Sequence, residues 1–183
     1  MAETAARETP AVTLSRCAPR GRIDLRGDAA DPAFAAGVSS VIGVEPPSTA
    51  NTGRSATGAV ILWLGPDEWL VEVAAAAESE VAKARETALS GLHASVEIVG
   101  DGSVTLSLAG GRAADVLAKG MTLDLAPDRF GAGCCARSLL ARVPVLLYRP
   151  GQAAVYEITV ARSFSDYALR WLDDAALEYR QTS

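Results

Sequence analysis

The chain has 183 residues, a formal net charge of -5, 49% hydrophobic residues and only 5% aromatics. Its basic residues stand singly among acids, with no stripe that could follow a phosphate backbone, so nucleic acid is excluded as a partner. No stretch approaches the roughly 18 apolar residues that a membrane span needs, and "MAETAARETP" lacks the apolar segment of an export signal, so a cytoplasmic protein with one hydrophobic core is expected.

Residues 1–10 read as disordered and residues 181–183 as a tail, flanking a single α+β domain over 11–180. "AVTLSR" is the first extended run. In "GRIDLRGD", Ile23 and Leu25 alternate with Arg22, Asp24 and Arg26 at the strand period of two, which predicts a half-buried strand. Asp31 as N-cap, Pro32 at the first helical position and Phe34, Val38, Val41 and Ile42 at spacings of three or four predict a short amphipathic helix ending at Gly43. Residues 45–58 lack periodicity and read as a long surface loop. In "ILWLGPDEWLVEV", two β-prone runs flank Pro66 and Asp67, which predicts a hairpin. "AAAAESEVAKARETALSGL" is helical by propensity, with Val81, Ala84 and Leu89 on one face and Gly91 as the stop.

The second half repeats this order. "ASVEIVG" and "GSVTLSLAG" read as strands around "GDG", "GRAADVLAKGM" as a helix, and "LAPDRF" as a turn. "ARSLLARVPVLLYRPGQAAVYEITVAR" holds three extended runs, with "RPGQ" as a hairpin turn. "SFSDYALRWLDDAALEYR" closes as a helix capped by Ser163 or Ser165. The halves, 20–91 and 92–180, share a strand-helix-strand-strand-helix order, and Ile23 and Leu25 can be laid on Val104 and Leu106. A pseudo-twofold α+β domain follows.

Candidate chemistry is thin. Adjacent Asp67 and Glu68 could form an acid-base pair, but neighbours on a strand point to opposite faces, and a turn role is preferred. The cysteines, Cys17, Cys134 and Cys135, are an odd set; adjacent cysteines strain a disulfide, and His93, the only histidine, leaves zinc short of ligands. Cys134 and Cys135 also lack a nearby base to make a nucleophile. "LAGGRAAD" lacks both G-x-G-x-x-G and the P-loop lysine and reads as a strand-to-helix turn. Asp173 and Asp174 lie late in the last helix, where the helix dipole disfavours them unless Arg170 or Arg180 compensates. No catalytic, cofactor-binding or metal residue is assigned; Trp63, Trp69, Tyr167 and Trp171 are the candidates for packing or subunit contact.

In this order and spacing, "RIDLRGD", "ADPAFAAGV", "ANTG", "LWLGPDEWLV", "VLAKGMTLDLAPDRF", "LLARVPVLLYR" and "ITVARSFSDYALRWLDDAALEY" resemble the gamma subunit of heterotetrameric sarcosine oxidase, from about Leu25 to Tyr179. The resemblance implies a fold like the folate-binding domain of glycine-cleavage aminomethyltransferase. It also implies alpha, beta and delta partner subunits that hold FAD, FMN, NAD, zinc and tetrahydrofolate, with none bound by this chain. Such a complex demethylates sarcosine oxidatively to glycine, passes the one-carbon unit to tetrahydrofolate and forms hydrogen peroxide. The chain departs from the family pattern at Met121, where Cys is expected, and at Ala126, near which His is usual; both suit packing. Two rival readings remain: the gamma-like subunit of a related dehydrogenase acting on another N-methyl amino acid such as N-methylglutamate, and a free-standing small folate-binding protein. On the first reading, apolar area on the hairpin and last helix, including Trp69 and Trp171, should be covered by another chain.

Overall fold

The structure, a computed structural model, describes residues 11–180; the segment 1–10 expected to be disordered and the tail 181–183 lie outside the described residues. The strands, in chain order, are β1 (Thr13–Arg16), β2 (Arg20–Arg26), β3 (Gly53–Ala56), β4 (Ala59–Gly65), β5 (Glu68–Ala74), β6 (Ser95–Ile98), β7 (Ser103–Ala109), β8 (Cys135–Leu140), β9 (Val143–Tyr148) and β10 (Val155–Ala161). The helices are α1 (Pro32–Ile42), α2 (Glu78–Ala88), α3 (Ala113–Ala118), α4 (Ser165–Ala175) and α5 (Leu177–Arg180). Two antiparallel five-stranded sheets result, in the orders β3-β4-β5-β2-β6 and β1-β7-β10-β9-β8.

The expected hairpin is β4 and β5, joined through Pro66 and Asp67, with a register shift between Trp63 and Gly65. Helix α1 begins as expected: Asp31 accepts from the Ala33 amide at 2.8 Å, Pro32 opens the helix, and Gly43 ends it at φ 84°. Four expectations need correction. Residues 45–58 contain β3, which pairs with β4. The buried face of α2 is Ala82, Arg85 and Leu89, with Ala84 in solvent. Helix α4 starts from a one-turn 3-10 helix, Arg162–Phe164, and neither serine side chain caps it. The strands around "GDG" do not form a hairpin, because β6 pairs with β2 while β7 pairs with β1 and β10 in the other sheet.

That last correction exposes how the repeat is built. Each sheet takes its outer strand from the other half: β1 joins β7, and β6 joins β2. The remaining strands follow the same order in both sheets, and both β5 and β10 lead through a one-turn 3-10 helix into an eleven-residue helix. Register sets the equivalence. Arg20 lies opposite Ala74 at the end of β5, and Ser103 lies opposite Ala161 at the end of β10. Ile23 and Leu25 therefore correspond to Leu106 and Leu108, two residues beyond the overlay suggested by the sequence, and all four are fully buried. In the same frame Arg22 is the counterpart of Thr105.

The helices cover the outer faces of the sheets. Phe34, Val38, Ile42, Ala82 and Leu89 pack on Ile23, Leu25, Ile61, Trp69, Val71 and Val73. Ala168, Leu172, Val116 and Leu117 pack on Leu106, Leu108, Ile158 and Val160. A smaller cluster of Leu62, Leu70, Cys135, Leu146 and Tyr148 lies where the inner faces meet.

The first core contains a buried cation. Arg85 is fully buried, and none of its three guanidinium nitrogens has a hydrogen-bond partner among the described residues. Burial pulls its pKa down to about 10, which leaves it charged at neutral pH while the folded state loses its hydration. Arg85→Met keeps the volume and removes the charge, so it should raise unfolding stability by about 1–3 kcal/mol. Denaturant midpoints of the two proteins would show this, and a midpoint shifted downward would mean that the guanidinium is held by partners.

Candidate functional site

Alternation that sends Ile23 and Leu25 toward the helices sends Arg20, Arg22, Asp24 and Arg26 to the opposite face of β2. On β5, Trp69, Val71 and Val73 face the helices, and Glu68, Leu70 and Glu72 face inward. The second sheet lies over this charged face. Arg22 is 3% exposed and Glu72 4%, so the strand expected to be half-buried is covered on both sides at its middle, while Arg26 at its end stays exposed.

Between the sheets the charges pair. Arg22 Nε donates to Glu72 at 2.8 Å, Nη1 to Ser103 Oγ at 2.9 Å, and Nη2 to Thr105, whose hydroxyl lies 2.8 Å from that of Thr159. The counterparts Arg22 and Thr105 thus meet at the pseudo-twofold axis. Arg20 bridges Glu72 at 2.7 Å and grips both oxygens of Glu157 at 2.6 Å, and these bonds raise its pKa further. Glu78 reaches from α2 to accept the Arg22 amide at 2.6 Å. It fits because Gly21 and Gly100 lack a Cβ, which would lie 2.6 Å and 2.2 Å from its atoms. Across the cleft, Glu68 accepts from Arg137 on β8 and from Arg26 at 3.1 Å, and the Arg137 hydrogen bond lowers its pKa. Paired carboxylates are weak bases, so this network is suited to holding the sheets in register rather than to moving protons.

The cleft opens at two ends. The smaller mouth, about 290 Å³, has Arg20, Glu72, Glu157, Ser55 and Tyr148 on its walls. The larger, about 490 Å³, has Asp24, Arg137 and Thr159 among Leu64, Leu70, Pro144 and Leu146.

Residues singled out in the sequence are dispersed. Trp69 is fully buried, tilted against Phe34 at 5.6 Å, with Nε1 donating to Pro47 at 2.9 Å. Its ring packs wholly within this chain, which is the packing role of the two considered for it. Trp63 is half-buried against the first core, and Trp171 lies over Gly120, where a Cβ would come 2.4 Å from the ring. Tyr167 is 42% exposed. Glu68 enters the cleft, whereas Asp67 lines a separate surface hollow with His93. Cys135 is buried, donates to the Trp63 carbonyl at 3.4 Å, and has its pKa pushed up to about 12 by burial, so it remains a thiol. Cys134 is half-buried, Asp173 and Asp174 are exposed, Met121 is 7% exposed in the second core, and Ala126 is half-buried. "LAGGRAAD" is a strand-to-helix turn in which Gly110 takes φ 121°. Among the described residues, no three His, Cys, Asp or Glu side chains gather as a metal site. The Arg22–Glu72 pair escaped the sequence reading; its one signal was charge alternating along β2.

Residues 26–178 match the family described as sarcosine oxidase, gamma subunit. The chain belongs to that family. The gamma subunit of sarcosine oxidase from Corynebacterium sp. (strain U-96) is 32% identical over 170 residues, covering 92% of this chain and 81% of that one. Among solved structures, a chain of heterotetrameric sarcosine oxidase from Corynebacterium sp. U-96, in complex with pyrrole 2-carboxylate, superposes with a TM-score of 0.86 at 29% identity, over 97% of this chain and 89% of its own. The glycine cleavage aminomethyltransferase T from Bartonella henselae gives a TM-score of 0.68 at 16% identity, over 90% of this chain and 46% of its own. That second likeness establishes a shared α+β fold. No helix among the described residues of this gamma-family chain is long and apolar enough to cross a membrane.

Proposed function

We propose that the chain is the gamma-type subunit of a heterotetrameric sarcosine oxidase, an oxidoreductase complex that demethylates sarcosine oxidatively. The observation that carries this reading is near full-length superposition, at a TM-score of 0.86, on a chain of such a heterotetramer. Within the complex the chain acts as a structural partner of alpha, beta and delta type subunits, which hold FAD, FMN, NAD, zinc and tetrahydrofolate. It supplies no catalytic residue. Support for that assignment comes from the cleft, where Arg20, Arg22 and Arg137 tie up Glu72, Glu157 and Glu68, and from the thiol state of Cys135.

Mild affinity purification of the tagged chain from its own cells tests the reading. The expected eluate is yellow, contains larger subunits, and releases hydrogen peroxide with sarcosine. A colourless single chain that binds tetrahydrofolate on titration would overturn it, and turnover with N-methylglutamate instead of sarcosine would move the substrate to a related complex.

A further inference from the structure

We infer that the larger mouth of the inter-sheet cleft is a docking groove for a segment of a partner subunit, one that places a lysine or arginine, flanked by apolar residues, on Asp24. This inference rests on the reading of the chain as a subunit of a larger assembly.

Charge balance comes first. Asp24 lines this mouth together with Arg22 and Arg137, and Glu68 and Glu97, the latter opposite it across the β2–β6 ladder, are its acidic neighbours. Both arginines are taken, Arg22 by Glu72 and Arg137 by Glu68, which the nearby Arg26 also binds. Asp24 is left over. Its Oδ1 is buried without a hydrogen-bond partner among the described residues, and the Arg26 Nε lies 4.0 Å away, beyond hydrogen-bond reach. Burial and the neighbouring Glu68 raise the pKa of this carboxyl, and an arriving cation would lower it again. Among the described residues, Asp24 Oδ1 is thus a desolvated acceptor with no hydrogen-bond donor and only a distant ion pair to Arg26.

The walls specify the remainder of the occupant. Leu64, Leu70, Pro144 and Leu146 line a groove of about 490 Å³. At its edge Val99 is 40% exposed, and Leu139, opposite Pro144 across the β8–β9 ladder, is 53% exposed. A lysine or arginine suits this shape, because its aliphatic stem lies along apolar walls while its head reaches a carboxylate. An anionic ligand would meet arginines that are already paired.

The test uses the whole complex, co-expressed and purified, with dissociation on dilution followed by mass photometry. Asp24→Asn should weaken assembly about 10–100-fold and flatten its salt dependence, without lowering the melting temperature of the isolated chain. Asp128→Asn, at an exposed acid elsewhere, should change neither. A photo-crosslinking residue in place of Leu139 should capture a partner segment containing Lys or Arg among apolar residues. Unchanged affinity and salt dependence in Asp24→Asn would overturn the inference, as would an isolated Asp24→Asn chain that melts early. So would crosslinks to a second copy of this chain, to a segment without a cation, or to nothing. Failure of the wild-type chain to join any larger subunit would instead overturn the assembly reading itself.

Discussion

Replacing Trp69 with Ala should lower the unfolding free energy by about 3–5 kcal/mol. The ring has no exposed surface, packs on Phe34, and gives its only N–H to the Pro47 carbonyl at 2.9 Å. Truncation opens a cavity between β5 and α1 and leaves that carbonyl unsatisfied, so the loss combines packing with a broken buried hydrogen bond. Guanidinium unfolding of the isolated chain measures it. Trp171→Ala should cost less, because that ring is partly exposed and lies on Gly120 rather than within a closed core. In an assembled complex, Trp69→Ala should leave turnover per flavin unchanged. A lost turnover with intact assembly would mean that the hairpin contributes to chemistry.

Removing the Glu72 carboxylate should be about as damaging. In Glu72→Ala, Arg22 keeps its charge at 3% exposure with only hydroxyl and carbonyl acceptors, and breaking one side of a buried pair costs about 3–5 kcal/mol. Glu157→Gln provides the comparison: Arg20 is 27% exposed at the side chain and retains Glu72, so the loss should stay near 1 kcal/mol. Arg22→Met combined with Glu72→Leu should recover much of the stability lost in Glu72→Ala, since the uncompensated charge is then gone. If Glu72→Ala unfolds no more easily than Glu157→Gln, the Glu72 carboxylate is not what compensates the Arg22 charge buried between the sheets.

Local features of this fold follow directly from local residues. Asp31, Pro32 and Gly43 delimit α1, and alternation in "RIDLR" assigns Ile23 and Leu25 to one side of their sheet. Less local features were misread. β3 went unseen because four residues, Gly53–Ala56, carry no apolar alternation and are strand only through pairing with β4. The strands around "GDG" looked like a hairpin because short strands close in sequence usually pair, whereas here the chain crosses between sheets at that point. The overlay of the halves slipped by two residues for a related reason: a shift of two preserves alternation, and only pairing with β5 and β10 fixes the register.

The candidate site marks the boundary between the two kinds of information. By itself the sequence determined that β2 has one apolar and one charged face, that the chain falls into two similar halves, and that its motifs resemble one family. It could not state what the charged face meets. An alternating row of Arg, Asp and Glu reads the same whether water or a second charged sheet covers it, because periodicity reports polarity and not the partner. The tertiary structure decided this by bringing together Arg22 with Thr105 and Glu68 with Arg137, pairs 83 and 69 residues apart. It also left Asp24 Oδ1 without a hydrogen-bond partner among the described residues, since complementarity between sheets depends on which residues the exchange of β1 and β6 brings face to face.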